Sequence, residues 1–496
     1  MKLSLARIAE FLGASGQVNP ETQALGYSID SRTVQPGELF FAVKGDRLDG
    51  HDFAEQALSR GAVAAVVRKD QLGRYANSAR GETAGVGTGF QPVRSGEVQP
   101  ASAVLLAVDD TLVALQTLAT AVRKLWAKTA IGITGSMGKT TTKEAVAHLL
   151  STKYRVHRTR GNFNNHFGLP LGLLTLEPEY DLAVVEMGMS HAGEIAALAR
   201  IALPNQGVVT NVAPVHLEYF DSIAGIARAK YELVASLPGS GAVFLNADDE
   251  YVSQFGRDFK GKVVLYGMRS IADVRAENVA VTGSEGTRFD LICGGTASDG
   301  VRQPVHSPLL GHHNVYNVLA AAAVALEHGI TPSEIAEALP TLSAADKRGQ
   351  VVQVGNISVL YDCYNSSPRA LMAAVDTLAA MPARRRLVVA GEMLELGTAA
   401  EQMHRECGEY MAGKKIDFLL GVRGMAKAMA ESASAAGIAS DFVATPEEAG
   451  EWLAREAREG DLVLLKASRG VKLEKALETW KTSRSDGSER RIANSE

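Results

Sequence analysis

The sequence has few cysteines and few aromatic residues, and it has no excess of positive charge. The 496 residues include three cysteines, Cys293, Cys363 and Cys407, which are far apart and lack metal-ligand spacing. We therefore expect plain core cysteines in a reducing compartment, the cytoplasm. Lys and Arg number 51 against 56 Asp and Glu, and this slightly acidic balance argues against nucleic acid as a partner.

Long apolar stretches are also lacking. The longest run, at residues 318–326, is too short and too rich in alanine to cross a bilayer. The first 12 residues have apolar side chains at helical spacing, but Arg7 and Glu10 interrupt them, which argues against a signal peptide. Apolar residues make up 46% of the chain, so we expect a soluble globular protein with no transmembrane segment and, from its length, about three domains.

The clearest motif is a glycine turn between an apolar strand and an amphipathic helix, with the sequence Gly-Ser-Met-Gly-Lys-Thr at residues 135–140. Gly135 and Gly138 can adopt positive φ, which lets backbone N–H groups approach a polyphosphate at the positive end of the helix. Lys139 can neutralise a phosphate, and Thr140 offers a hydroxyl to Mg²⁺. The motif predicts phosphate binding, although its spacing is shorter than the usual P-loop; an ordinary strand–turn–helix connection is the alternative.

Polar residues follow the next two predicted strands of this region. Glu186 ends the apolar strand at 182–185, and His216 follows the strand at 207–212. Open α/β sheets bind ligands beyond the carboxyl ends of their strands, so we expect both residues near Lys139. Glu186 would then be a Mg²⁺ carboxylate. Taken singly, Glu186 could also be a carboxylate at a helix start, and His216 a structural hydrogen-bonding residue.

The pattern of strands and helices predicts an α/β fold of three domains. A first domain ends near residue 108, and its segment 78–102, rich in Gly, Ser, Thr and Pro, is predicted to be a disordered insertion. A linking helix and a central domain with a P-loop ATPase-type sheet occupy 109–340. Strand–helix alternation over 341–482 predicts a Rossmann-like, doubly wound parallel sheet, and the polar tail 483–496 is predicted to be disordered.

Three further polar segments have two interpretations each. A loop region in the first domain, with Ser31, Arg32 and His51, could bind an anion such as a diphosphate or could simply be solvated. The side chains at 313–317, which open an alanine-rich helix, could read a base or cap the helix. Lys230, on the predicted helix 223–237, would by itself belong to a solvated helix face.

Seven ordered motifs resemble those of the Mur ligases, the ATP-dependent amide-forming enzymes of peptidoglycan precursor synthesis. They lie at 134–144, 186–188, 211–218, 229–230, 313–317, 362–365 and 466–470. The resemblance covers nearly the whole chain except the insertion and the tail. Residues 28–32, 40–45, 49–53 and 161–165 resemble most closely the branch that joins D-alanyl-D-alanine to a UDP-N-acetylmuramoyl-tripeptide. The Asp-Asn-Pro-Arg tetrapeptide of the branch that adds a diamino third residue does not occur in the sequence.

The resemblance implies a reaction in two steps. ATP phosphorylates the terminal carboxylate of the UDP-linked tripeptide, and the amine of D-alanyl-D-alanine then displaces the phosphate. It also implies two Mg²⁺ ions and a carbamate formed from CO₂ on Lys230, which replaces the interpretation of that residue as solvated. We expect a monomer. The alternatives are another Mur ligase, a folylpolyglutamate synthase-type ligase or a non-catalytic P-loop nucleotide-binding protein.

The resemblance assigns site residues by position. Catalysis falls to Lys139, Glu186, His216 and Lys230, and metal binding to Thr140, Glu186, His216 and carbamylated Lys230. ATP binding falls to Gly135, Ser136, Gly138, Lys139, Thr140, Thr141, His313, Asn314, Asn317, Arg348 and Asp362. Binding of the two other substrates is assigned to Ser31, Arg32, Asn164, Asn165, Asn365, Lys466, Ser468 and Arg469. Two positions depart from the family pattern: Ser366-Ser367 stand where Ala-Asn is usual, and Ala467 replaces a common glycine.

Overall fold

The structure is a computed structural model that describes residues 1–75, 104–161, 163–269, 271–294 and 300–493. The insertion predicted at 78–102 therefore lies outside the described residues. The chain forms two compact units. Unit 1 comprises Met1–Ala130, His157–Met187 and Ala196–Pro204, and unit 2 comprises Ile131–Val156, Gly188–Ile195 and Asn205–Glu496. The domain boundaries near 108 and 340 remain a prediction from the sequence.

Strands and helices alternate along most of the chain. The strands are β1 (Leu3–Ser4), β2 (Gln23–Ala24), β3 (Gly26–Ser28), β4 (Glu38–Phe41), β5 (Ala64–Arg68), β6 (Leu105–Val108), β7 (Thr129–Thr134), β8 (Val156–Arg158), β9 (Leu182–Glu186), β10 (Gln206–Val209), β11 (Ala242–Asn246), β12 (Lys262–Gly267), β13 (Val274–Val281), β14 (Thr287–Cys293), β15 (Val301–Ser307), β16 (Gln350–Val354), β17 (Ile357–Tyr361), β18 (Arg385–Gly391), β19 (Phe418–Val422), β20 (Ala439–Val443) and β21 (Asp461–Lys466). The α-helices are α1 (Leu5–Leu12), α2 (Ala54–Ser59), α3 (Thr111–Trp126), α4 (Lys139–Leu150), α5 (Gly168–Leu174), α6 (Glu194–Ala202), α7 (Ile223–Ala235), α8 (His312–Glu327), α9 (Pro332–Ala338), α10 (Pro368–Ala380), α11 (Ala400–Ala412), α12 (Ala426–Ala435), α13 (Pro446–Glu456) and α14 (Glu474–Ala493).

Unit 1 contains a parallel sheet of four strands in the order β3-β4-β5-β6. Its strands β4, β5 and β6 are almost continuous runs of buried apolar residues, and Phe40, Ala42, Ala65 and Val67 pack into one core cluster. Helix α3 follows the sheet, and the Asp110 carboxylate caps it by accepting hydrogen bonds from two backbone amides of the first turn. Helix α3 corresponds to the linking helix predicted to follow residue 108.

The central sheet in unit 2 has its strands in the order β15-β14-β13-β12-β11-β10-β7. Strands β7, β10, β11, β12 and β13 pair in parallel, whereas β13, β14 and β15 form an antiparallel arm. Strands β11 to β15 were not identified from the sequence. Solvent-exposed residues interrupt β13 and β15, and Pro304 lies within β15, so the usual strand pattern is weak there.

The second sheet of unit 2 has the order β16-β17-β21-β18-β19-β20. It is parallel except for β16, which pairs antiparallel with β17. The predicted doubly wound parallel sheet is confirmed, with one antiparallel edge strand that was not predicted. Cys407 and Met411 pack on one face, and Leu453 and Trp480 pack on the other, as the doubly wound arrangement requires. For residues 483–493 the prediction of disorder was wrong, because α14 continues as helix to Ala493; residues 494–496 lie outside the described residues.

The scattered cysteines are free, and Cys363 and Cys407 are buried core residues, as expected; Cys293 is only partly buried. Within the described ranges, no helix is both long enough and apolar enough to cross a membrane. The α/β class predicted from the sequence is confirmed, with parallel sheets that present their carboxyl ends to the loops discussed next.

Candidate active site

The glycine turn connects β7 to α4, as predicted. Gly138 stands directly before the helix at φ +81°, and a Cβ atom there would overlap the side-chain oxygen of Asn317. No side chain caps the start of α4, where the first turn carries Lys139 and the buried Thr140. Amide groups at an uncapped helix start, together with a turn that excludes a side chain, are suited to binding an anion.

The loop that follows β10 holds this turn in place. Asn211 accepts a hydrogen bond from the Met137 amide at 3.0 Å and donates one to the Met137 carbonyl at 3.1 Å. The Thr210 hydroxyl donates to the same carbonyl at 2.6 Å. The Ser136 hydroxyl is engaged with the backbone of Ala213, accepting at 2.9 Å and donating at 3.1 Å. The turn is therefore fixed before any ligand arrives, and the Ser136 side chain, predicted to bind ATP, is part of this clamp.

Two lysines lie close to the turn. The Nζ atom of Lys139 donates to the carbonyl oxygens of Gly135 at 2.8 Å and Ser136 at 3.2 Å, which places its charge over the loop. Lys230 is only 1% exposed, so the interpretation as a solvated helix face was wrong. Burial, and then the neighbouring charge of Lys139, lower the pKa of the Lys230 amine well below its usual range.

His216 and Glu395 meet in unit 2 although they are far apart in the sequence. The Nδ1 atom of His216 lies 2.5 Å from Oε2 of Glu395, and this hydrogen bond lowers the pKa of the Glu395 carboxyl. Glu395 belongs to the loop after β18. It was not predicted as a site residue, although its position beyond a strand end was a signal that could have drawn attention to it.

The start of α8 packs against α4. The Oδ1 atom of Asn317 accepts a hydrogen bond from the Thr142 hydroxyl at 3.1 Å, and its amide donates to Asn314 at 2.9 Å. Asn314 in turn donates to the Leu310 carbonyl at 2.8 Å. Burial lowers the pKa of the His313 imidazole from 6.5 to about 4. No side chain caps the start of α8, so the interpretation of these residues as helix caps was wrong, and base reading stays a prediction.

The strand ends of the second sheet bring several predicted residues together. Lys466 and Asp362 form an ion pair with 2.6 Å between Nζ and Oδ2, and Nζ also donates to the Asn365 carbonyl at 3.1 Å. The Arg348 guanidinium lies 4.0 Å above the Tyr364 ring, and the Arg469 guanidinium lies 5.8 Å from the same ring. Arginine stacked on an aromatic face is held in orientation while its outer N–H groups can still bind an anion.

The serines that depart from the family pattern lie in this same region. Ser367 is 3.5 Å from the Met137 sulfur, so it touches the phosphate turn. Ser468 is buried, donates to the Ser366 carbonyl at 3.3 Å and accepts from the Leu394 amide at 2.9 Å. Ser468 thus connects two strand-end loops of the second sheet.

Unit 1 holds the remaining predicted residues. Asn164 donates to Oε1 of Glu186 at 2.7 Å, so these two are neighbours. Asn165 instead accepts hydrogen bonds from the amides of Phe167 and Gly168, at 3.2 Å and 2.9 Å, at the start of α5. Its side chain therefore has a structural role that the sequence did not indicate.

The predicted anion loop of unit 1 has two kinds of residue. Arg32 is 79% exposed and is held by Asp30 through an ion pair of 2.8 Å. The Ser31 hydroxyl donates to Gln56 at 2.7 Å. His51 is buried, with Nδ1 2.6 Å from Asp49 and Nε2 accepting from the Arg68 amide, so it has a structural role. Arg32 presents its charge at the surface here.

Comparison with protein families matches successive parts of the chain. Residues 25–123 match the Mur ligase family catalytic domain, residues 133–325 the Mur ligase middle domain, and residues 347–469 the Mur ligase glutamate ligase domain. The glycine turn, Lys230 and the start of α8 fall in the second match, and the Asp362–Lys466 pair falls in the third.

Individual proteins are similar over almost the whole length. The UDP-N-acetylmuramoyl-tripeptide–D-alanyl-D-alanine ligase of Bacillus subtilis is 36% identical over 482 residues, which cover 96% of this chain and 97% of that protein. A crystal structure of MurF from Acinetobacter baumannii aligns with a TM-score of 0.82 at 27% identity, covering 97% and 99% of the two chains. A crystal structure of MurF from Thermotoga maritima in complex with ADP aligns with a TM-score of 0.75 at 26% identity, covering 93% and 98%.

Proposed function

This chain belongs to the Mur ligase family, and from that premise we propose that it joins D-alanyl-D-alanine to UDP-N-acetylmuramoyl-tripeptide. The reaction is an ATP-dependent, ADP-forming amide ligation. The observation that carries this proposal is the near full-length similarity to ligases of that specificity, together with a fixed phosphate turn over which Lys139 lies. The enzyme supplies a precursor for peptidoglycan synthesis.

The first step activates a poor electrophile. A carboxylate oxygen of the tripeptide forms a bond to the γ-phosphorus of ATP, the bond from that phosphorus to the β,γ-bridging oxygen breaks, and ADP leaves. Two anions must approach each other in this step, so cationic groups are needed to offset their repulsion. Lys139 lies over the turn in position to do this, and we propose that Arg348, held on Tyr364, binds the same phosphates.

The second step forms the amide. The free amine of D-alanyl-D-alanine attacks the acyl carbon, phosphate leaves with the former carboxylate oxygen, and the amine loses a proton. The enzyme gains rate here mainly by holding the amine and the acyl phosphate together. We propose that Asn365, Lys466, Ser468 and Arg469, at the strand ends of the second sheet, position this acceptor.

The residues assigned to metal binding by family position are Thr140, Glu186, His216 and a carbamylated Lys230. Mg²⁺ bound there would neutralise phosphate charge during the transfer. The chemistry of the donors fits: a hydroxyl on the first turn of α4, a carboxylate oriented by Asn164, and an imidazole whose Nδ1 is already engaged. An ammonium group cannot be a ligand. The lowered pKa of Lys230 favours the free amine, which can add CO₂ with loss of one proton to give an anionic carbamate.

The remaining assignments are proposals of the same kind. Ser31, Arg32, Asn164 and Asn165 would meet the UDP-linked substrate. Gly135, Ser136, Gly138, Thr141, His313, Asn314, Asn317 and Asp362 would meet ATP, largely through backbone groups where the side chains are already engaged. We also propose three domains with boundaries near 108 and 340, and a monomer that acts in the cytoplasm, where free cysteines stay reduced.

The function is tested by phosphate release from purified protein with MgATP, UDP-N-acetylmuramoyl-tripeptide and D-alanyl-D-alanine, leaving out one component at a time. Release that requires all three is the expected result. Turnover with a single amino acid in place of the dipeptide would move the protein to another branch of the family. Turnover of a folate with glutamate would identify the folylpolyglutamate synthase alternative. ATP binding without turnover of any amine would identify a non-catalytic nucleotide-binding protein.

A further inference from the structure

The loop that follows β18 in the second sheet contacts His216, the histidine proposed to bind the metal. The contact is made by Glu395, whose carboxylate lies 2.5 Å from Nδ1 of His216. Both residues have positive φ, 56° for His216 and 63° for Glu395, a conformation that is uncommon for residues other than glycine. Such backbone conformations persist only where the surrounding structure holds them.

Several contacts within the second sheet fix this loop. The Met393 amide donates to Nε2 of His404 at 2.9 Å, and the Leu394 amide donates to the Ser468 hydroxyl at 2.9 Å. Glu392 accepts from the Met425 amide at 3.1 Å. The backbone that leads to Glu395 is therefore held by contacts within its own sheet.

The loop also lies against the chain that follows His216. At Gly397, which has φ +59°, an added Cβ atom would be 3.4 Å from the Cα atom of Glu218 and 3.5 Å from the Leu217 carbonyl oxygen. The two segments thus approach each other at van der Waals distance next to the histidine–carboxylate pair.

The chemistry of imidazole gives this contact a consequence. A carboxylate can only accept, so Nδ1 of His216 must carry a proton, and in the neutral imidazole this leaves the lone pair on Nε2. Histidines that bind metals commonly donate their other N–H to a carboxylate, which fixes the tautomer and the orientation of the ring.

We propose that Glu395 is a positioning residue that orients His216 so that Nε2 can bind the divalent cation of the reaction. This rests on the proposed function, because His216 is assigned to the metal by family position. Glu395 lies in a loop of the second sheet, and His216 lies in a loop of the central sheet of the same unit. The affinity for the cation therefore depends on the two sheets being held together.

Binding of Mn²⁺ alone to the full-length protein tests this role, with electron paramagnetic resonance used to count free ions. Glu395→Ala is expected to weaken Mn²⁺ binding about tenfold or more, and Glu395→Gln, which keeps an acceptor without the charge, to weaken it less. His216→Ala is the reference for complete loss of the ligand. Glu401→Gln, at an exposed carboxylate on α11, is the matched control and is expected to bind as the wild type does.

A spectroscopic measurement separates positioning from a general loss of structure. At saturating Mn²⁺, the wild-type protein is expected to show electron spin echo modulation from an imidazole nitrogen. We expect this modulation to be absent in His216→Ala and diminished in Glu395→Ala. Unchanged affinity and unchanged modulation in Glu395→Ala would overturn the inference. The assay that omits one substrate at a time tests the proposed function separately, on the wild-type protein. If the wild type ligates its substrates but Glu395→Ala binds Mn²⁺ as the wild type does, the proposed function stands and only the role of Glu395 is lost.

Discussion

Lys230 is buried near Lys139, and burial together with the neighbouring positive charge lowers the pKa of the Lys230 amine. Two lysine side chains that lie close together inside a protein repel each other when both are charged. Conversion of Lys230 to a carbamate would replace that repulsion by attraction. The burial thus gives the family assignment of this residue a physical basis.

Removing the Lys230 side chain should remove most of the activity. We expect Lys230→Ala to lower kcat about a hundredfold or more, with partial recovery on addition of acetate or propionate. Phosphate release measured with all substrates checks this. Arg228→Ala, at an exposed residue of the same helix, is the matched control. Full activity in Lys230→Ala would exclude the carbamate role.

Gly138 should be more sensitive to substitution than a glycine of similar backbone conformation elsewhere. Gly138 at φ +81° faces Asn317, whereas Gly437 at φ +93° has no neighbouring atoms within 4 Å of an added Cβ. Both alanine variants should lose about 1 kcal/mol of stability from the backbone conformation. Gly138→Ala should in addition displace Asn317 and weaken ADP binding at least about tenfold, as calorimetry would show. Equal ADP affinities in the two variants would contradict this view of the turn.

Asn164 and Asn165 are adjacent but should respond differently. Asn165→Ala removes the acceptor of two amides at the start of α5 and should cost about 1 kcal/mol of stability. Asn164→Ala removes the hydrogen bond to Glu186 and should chiefly lower the Mg²⁺-dependent turnover. Denaturant unfolding and steady-state kinetics of both variants check this division. The prediction fails if the larger kinetic defect belongs to Asn165→Ala.

His157 should make the protein less stable in mild acid. Burial lowers the pKa of this imidazole to about 4, against 6.5 when it is exposed. The unfolded chain therefore binds the proton first, so stability falls as the pH drops below 6.5 and continues to fall until about pH 4. From pH 7 to pH 5 the loss from this group is about 2 kcal/mol.

The variant His157→Phe keeps a ring against Tyr180, which lies 5.3 Å away between ring centres, but cannot bind a proton. Thermal unfolding of this variant should depend less on pH between 7 and 5 than that of the wild type. His166→Phe, which removes an exposed imidazole, should retain the wild-type pH dependence. Identical pH dependence in His157→Phe and the wild type would show that another group is responsible.

Local features explain what could be predicted from the sequence. The glycine turn, β7 and α4 follow from residues within one short segment. The burial of Lys230 also had a local signal, because Ile226 and Leu233 place it on the apolar stripe of α7. A lysine on such a stripe was taken for a solvated residue from its charge alone.

Other features depend on distant parts of the chain. The Glu395–His216 contact joins residues 179 positions apart, and no spacing in the sequence indicates it. The strand β15 includes Pro304 and several exposed residues, which hide its pairing with β14. The helical tail beyond Trp480 has no apolar periodicity, so its polar composition led to a prediction of disorder.

The most direct test of the proposed ligation follows oxygen from the tripeptide to phosphate. UDP-N-acetylmuramoyl-tripeptide with ¹⁸O in its terminal carboxylate is incubated with the wild-type protein, MgATP and D-alanyl-D-alanine, and the products are analysed by mass spectrometry. We predict one ¹⁸O atom in each phosphate released, in equal amount to a UDP-linked pentapeptide. Phosphate without ¹⁸O, or no pentapeptide, would contradict ligation through an acyl phosphate.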